Sequence, residues 1–324
     1  MRRNIGFVVA FLIVALSPAS SWAETFVIPH IFERNGRVSN TPNTFDTVLY
    51  VTNTGGRAGV PNLGGANIDL YLYDFFGSPL TSASSGDTVC NPCSFVLPAT
   101  KKKLNISIDK LITAAGGFFG PSFVFAWGAV VVTGAGAENI SMESVTSKSN
   151  ANPKDLSFWS FQPQRPGWAE RSILPHIFER RGRVVTDLNT YDTQLFILNP
   201  GGHAGIQDQG NAEVALYLFK GNAALRSKND AIVCGPCQFV IPSGQVNRVD
   251  IQGLIQTAGG FPAGGLGGLW GHIVVNGAPG DPSIFNVNIG GVTFNNHSSA
   301  GDLAFDGFLP NWFKTNTLVE WPAN

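Results

Sequence analysis

Two cysteine pairs with one spacing, Cys90-Asn91-Pro92-Cys93 and Cys234-Gly235-Pro236-Cys237, are the most specific chemical feature of the sequence. Cys-x-x-Cys supports three chemistries. In the first, each pair closes a disulfide around a turn that the inner proline favours. So short a loop restrains the unfolded chain little, because that entropy term grows with the logarithm of loop length. The bridge would serve to fix a turn ahead of the apolar runs at 95–97 and 239–241. In the second, Cys-Gly-Pro-Cys is a thiol redox pair. A reactive thiolate, however, is held at a helix N-terminus, and Gln238-Phe239-Val240-Ile241-Pro242 reads as a strand. In the third, four thiolates share a tetrahedral zinc, which requires two distant pairs to meet.

A second constellation places a histidine three residues before a glutamate. It occurs as Ile28-Pro29-His30-Ile31-Phe32-Glu33-Arg34 and again as Leu174-Pro175-His176-Ile177-Phe178-Glu179-Arg180. On a helix such a pair shares a face; on a strand it points to opposite faces. The flanking Phe26, Val27, Ile31 and Phe32 favour a strand. His30 and Glu33 are therefore not expected to converge, and each histidine reads as a partly buried ring, with the glutamate beside a turn. No third metal ligand repeats: His203 aligns with Arg57, and His272 with Ala129. No metal site and no cofactor are expected. Asp46 and Asp192 recur beside hydroxyls and read as Asx turns. No Gly-x-Ser-x-Gly elbow, phosphate loop or His-Glu-x-x-His motif occurs. The chain is thus expected not to be an enzyme. A hydrolase would need polar groups converging in a cleft between the two copies.

What positions these residues is an internal repeat. Thr44-Phe45-Asp46-Thr47 matches Thr190-Tyr191-Asp192-Thr193, and Trp127-Gly128 matches Trp270-Gly271. The cysteine pairs fall in the same order, and the offset moves only between 143 and 147. That period is far above the 20–50 residues of solenoids, so each copy can bury its own core. Within a copy the signal has period two: Ile68, Leu70 and Leu72 alternate with Asp69, Tyr71 and Tyr73, as Val214, Leu216 and Leu218 do with Ala215 and Tyr217. Strands are predicted at 26–32, 45–53, 68–73, 95–97, 104–108, 124–133 and 140–146, with a helical turn at 109–115 and again at 250–258. About seven short strands per copy predict an all-β chain of two tandem antiparallel β-sandwich domains, immunoglobulin- or jelly-roll-like, with little helix. Alternation sends Tyr71, Tyr73 and Tyr217 outward. They join His30, His176, Glu33 and Glu179 as candidate ligand-binding residues.

The ends and composition bound the setting. Met1-Arg2-Arg3 precedes an apolar run from Ile5 to Leu16, broken by Ser17-Pro18 and followed by Ser21-Trp22-Ala23. This is the pattern of a secretory signal peptide over residues 1–23, and the run is short of the roughly 20 residues of a membrane span. An oxidising compartment favours the disulfide reading. The expected organisation is a first sandwich over 24–163, a linker at 164–168, a second sandwich over 169–313, and a tail or extra strand over 314–324. Charged residues make up only 13% of the chain and net charge is −1. Lys101-Lys102-Lys103 is the longest basic run, and Gly244-Gln245-Val246 replaces it in the second copy. A repeated nucleic-acid surface is therefore not expected.

The order of strands and turns in the second copy resembles one known family. Ile197-Leu198-Asn199-Pro200-Gly201 is followed by an apolar-Tyr strand at 214–218, then Val240-Ile241-Pro242 and Arg248-Val249-Asp250. This resembles the β-sandwich family of sensory-rhodopsin transducer proteins, once per copy. The resemblance implies non-enzymatic, oligomeric binding or adaptor sandwiches. The signal peptide, the duplication and the cysteine pairs depart from it. Together these readings predict an exported protein of the cell surface, periplasm or medium, with a structural, assembly or binding role. Its partners would be further copies of itself, or a surface glycan, peptide or protein.

Overall fold

The fold was obtained as a computed structural model that describes residues 23–34, 44–82, 84–117, 123–149, 156–161, 171–179, 189–262, 266–276, 287–297, 303–308 and 311–313. The predicted signal peptide, apart from Ala23, the linker at 164–168 and the tail at 314–324 lie outside the described residues.

In the first half the chain forms β1 (Glu24–Arg34), β2 (Thr44–Asn53), β3 (Ala66–Tyr73), β4 (Cys93–Leu97), β5 (Lys103–Ser107), α1 (Ile108–Ala114), β6 (Phe123–Thr133), β7 (Ile140–Ser149) and β8 (Leu156–Phe161). The second half repeats this order. It forms β9 (Arg171–Glu179), β10 (Asn189–Leu198), β11 (Ala212–Lys220), β12 (Ala223–Ala224), β13 (Cys237–Ile241), β14 (Val246–Asp250) and α2 (Ile251–Thr257). Then come β15 (Leu266–Asn276), β16 (Asn288–His297), β17 (Leu303–Phe308) and β18 (Asn311–Phe313). The fold is all-β, and among the described residues the strand pairings are antiparallel.

In the second half one sheet runs β12-β11-β15-β9-β18, with β13 also on β11, and the other runs β14-β10-β16-β17. In the first half β4-β3-β6-β1 and β5-β2-β7-β8 take the same places, joined at a corner where Arg34 pairs with Phe45. Period-two alternation then fills the space between layers. Ile68, Leu70 and Leu72 from β3 meet Leu49 and Val51 from β2, and Val214, Leu216 and Leu218 meet Leu195 and Ile197. Each helix is one short amphipathic lid. Ile108 and Ile112, like Ile251 and Ile255, lie one turn apart and are buried, while Ser107 and Asp250 cap the first-turn N–H groups of Lys110 and Gly253.

The prolines of the repeated heptads mark an irregularity in both halves. Ile28 pairs with Gly128 and Ile31 with Ala126, so β1 carries one extra residue around Pro29, whose missing N–H suits a bulge. β9 does the same around Pro175: Leu174 pairs with Gly271 and Ile177 with Leu269.

The cysteines of each pair lie at disulfide distance, with Cα atoms 4.9 Å apart for Cys90–Cys93 and 4.8 Å for Cys234–Cys237. Each pair closes within its own half, at the start of β4 or β13, and Leu72 and Leu218 donate their backbone N–H to Cys90 and Cys234. Seven strands per half was an underestimate. β8 and β17 share the pattern Leu-x-Phe-x-x-Phe and extend the β2 and β10 sheets by one strand each. They lie against each other at the boundary of the halves.

Candidate functional site

The repeated candidate residues divide at the bulge. After it, Ile31 and Glu33 point into the first half's core, while His30 and Phe32 point outward. Glu33 is 0% exposed and accepts the backbone N–H of Thr47 at 2.6 Å. Thr47 lies one residue before the β2–β5 ladder begins at Val48, so the carboxylate serves a backbone donor at the ladder's end. Glu179 accepts from Thr193 N–H at 2.6 Å in the same place, one residue before the β10–β14 ladder. Each glutamate thus spans the corner between its two sheets, while the segments expected to turn after them, 35–43 and 180–188, lie outside the described residues. Burial raises the Glu33 pKa well above the ordinary carboxyl range, opposed by the Thr47 N–H and reinforced by Asp46 and Asp109. Its Oε2 is buried without a hydrogen-bond partner. Bonded to the Thr47 backbone, Glu33 is a structural carboxyl of the corner. Asp46 likewise lies inside β2 and is buried, not in an Asx turn. The side chains of His176 and Asp192 lie outside the described residues.

His30 is 3% exposed, and its ring lies 4.0 Å from that of Phe196, in the other half of the molecule. Burial, with Arg248 nearby, holds its pKa down to about 3, so the ring is neutral. Tyr73 and Tyr71 do point outward from β3, as alternation requires. Their face, however, is covered by the second half rather than by solvent. Tyr73 stacks on Trp127 at 4.4 Å and is 5% exposed; Tyr71 is half-buried beside it. Burial pushes the Tyr73 phenol up to about 12. These residues are parts of a joint between the halves.

That joint is one apolar cluster drawn from both halves. Val27, Tyr73, Trp127 and Ala129 of the first half pack on Leu198 and Ile206 of the second, flanked by Tyr71, Ala204 and Val246. Polar contacts frame it. The two ring nitrogens of His203 each lie 2.8 Å from a carbonyl oxygen, Gly201 in its own loop and Gly77 across the joint. Val246 N–H donates to Phe75 O at 3.0 Å. At this boundary, where a hydrolase would need converging polar groups, apolar side chains pack together.

The joint uses unlike faces. The first half offers the outer face of β3-β6-β1; the second offers the outer face of β10-β14-β16. Each half therefore keeps the face that the other half used. The first half's β2-β5-β7 face lines an open cavity of about 370 Å³ with Tyr50, Thr52, Lys103, Ser141, Glu143 and Val145, and Lys103 Nζ rides 4.6 Å from the Tyr50 ring centroid. The second half's β11-β15-β9 face carries half-buried Ile173, Tyr217, Phe219, Trp270 and His272, with Phe219 stacked on Trp270 at 4.3 Å. Sequence reasoning missed Trp127, Phe196, Leu198, His203 and Tyr50. A signal was available: aligned outward positions differ in polarity, with Thr52 against Leu198 and Lys103 against Val246. Among the described residues no group of three or more His, Cys, Asp or Glu could hold a metal, and no helix is long and apolar enough to cross a membrane.

Comparison with known proteins adds little. No family model and no curated protein matches the chain. Among solved structures, a chain of the crystal structure of the T13 IBDV viral particle is 9% identical, with 88% of this chain and 68% of that chain covered at a TM-score of 0.17. Likeness at that score bears on neither fold nor role.

Proposed function

We propose that the protein is an exported, non-enzymatic β-sandwich subunit that builds an assembly at the cell surface or in the periplasm. The observation that carries this is the joint: two copies of one fold dock through opposite faces, leaving a counterpart of each docking face at the two ends. Duplication with unlike faces suits chains of domains more than a closed pair. The cysteine pairs and the N-terminal pattern support export. Purified protein beginning at Glu24 should grow in mass with concentration by light scattering and show ordered particles or fibres by electron microscopy. A strict monomer across that range would sink the assembly reading.

Glycan binding is a second reading, favoured by the open cavity beside Tyr50. An aromatic ring bordered by Thr52, Ser141 and Glu143 offers a stacking surface with hydrogen-bonding groups around it. Loss of glycan retention on an array by Tyr50→Ala would support it.

A further inference from the structure

The two halves provide an internal control for what a docked face looks like. On the β3-β6-β1 face, Val27 and Trp127 are 0% exposed because the second half covers them. Their counterparts on β11-β15-β9, Ile173 and Trp270, are only half-buried. The opposite face behaves alike. Phe196 and Leu198 are buried in the joint, whereas their counterparts Tyr50 and Thr52 are half-buried around the open cavity. The open faces also carry larger or more polar side chains where the joint is apolar or small, with Lys103 in place of Val246. His272 stands where the joint has Ala129, and Glu143 stands where it has Gly290.

We propose that the β11-β15-β9 face docks a second copy of this chain, through that copy's β2-β5-β7 face, head to tail, as the halves dock within one chain. The proposal rests on the assembly reading and adds the contact that builds the assembly. A contact between unlike faces leaves a free face at each end, so it propagates into rings or filaments. The polar replacements make it weaker and more salt-sensitive than the apolar joint inside the chain. Aromatic anchors at Phe219 and Tyr50 would sit at its centre.

The test is sedimentation velocity of the mature chain over a wide concentration range, comparing wild type, Phe219→Glu and Tyr50→Glu. The expected result is that wild type associates, each variant alone stays monomeric, and an equimolar mixture of the two forms dimers and nothing longer. Only a head-to-tail contact gives that rescue, since each variant retains one intact face. Should Phe219→Glu fail to fold, His272→Glu takes its place. It should weaken association at least about tenfold alone, and an equimolar mixture with Tyr50→Glu should restore dimers. If both variants associate like wild type, or mixing rescues nothing, this contact is overturned while the assembly reading stands. A wild type that never associates overturns both.

Discussion

Trp127 and Trp270 occupy equivalent positions in the two halves, yet Trp127 is completely buried and Trp270 only half so. The same strand, residue type and outward direction therefore produce a core residue in one copy and a surface residue in the other. Phe196 and Tyr50 show the same contrast on the opposite face. Burial at these positions is a property of the neighbour and not of the strand. Duplication supplies two faces of each kind, and one docking event consumes only one of each. The consumed faces became apolar partners, and the remaining ones carry lysine, glutamate and histidine among aromatic rings.

The comparison can be broken most directly at the tryptophans. Trp127→Ala should cost about 3–5 kcal/mol, the range for deleting a fully buried large aromatic. Trp270→Ala should cost only about 1–2 kcal/mol, since less apolar area is lost. Equal losses in urea denaturation would mean the halves do not differ in the way described. Next in size is the corner glutamate, which should behave alike in both halves. Glu33→Ala removes the acceptor of Thr47 N–H and opens a hole, for about 2–4 kcal/mol. Glu33→Gln keeps an acceptor and should cost under about 1 kcal/mol. Because burial raises the Glu33 pKa, its carboxyl favours the folded state at acid pH and costs stability as pH climbs above about 4.5. The Gln variant should therefore gain on wild type as pH rises through that window, and parallel pH curves would contradict the assignment.

Acid should act on the joint through His30. Its folded pKa, about 3, lies below its unfolded value, so its contribution is complete above about pH 6.5 and is lost as pH falls toward 3. At about 1.4 kcal/mol per pH unit, stability should drop by about 2 kcal/mol between pH 7 and 5. His30→Leu should remove that slope, and a variant as acid-sensitive as wild type would place the effect elsewhere. The smallest contrast lies in two turn glycines. Gly77 has φ +85, and an added Cβ would meet Gly244 O of the other half at 2.6 Å; Gly221 has φ +59 with nothing within 4 Å. Gly77→Ala should cost about 2–3 kcal/mol and Gly221→Ala about 1 kcal/mol, read as the difference in thermal midpoints.

Much of the architecture was legible in the sequence. Alternation at 68–73 placed β3, and the helical turn expected at 109–115 is α1, which takes in Ile108 from the expected strand. The eighth strand was missed, because Leu156 to Phe161 is a short apolar run amid polar residues that also suit a linker. The bond from Thr47 to Glu33 was not legible, since its partners lie fourteen positions apart and meet only across the corner. The candidate tyrosines were directed outward correctly, yet Tyr73 ended in the joint.

Period-two patterning, turn residues and the internal duplication are written in local sequence, and each strand obeys them wherever it lies. They determined an all-β chain with the same strand order twice. Which outward face of one half meets which outward face of the other is a long-range choice. Both faces of each sandwich carry aromatic and aliphatic side chains at strand period, so the strand pattern of one copy alone does not separate them, and only the polarity of aligned positions in the two copies does. The choice depended on shape and polarity summed across three strands, on Gly77 meeting Gly244, and on His203 reaching Gly77 O. It turned His30, Tyr73 and Trp127 into core and left Tyr50, Tyr217 and Trp270 at the open faces.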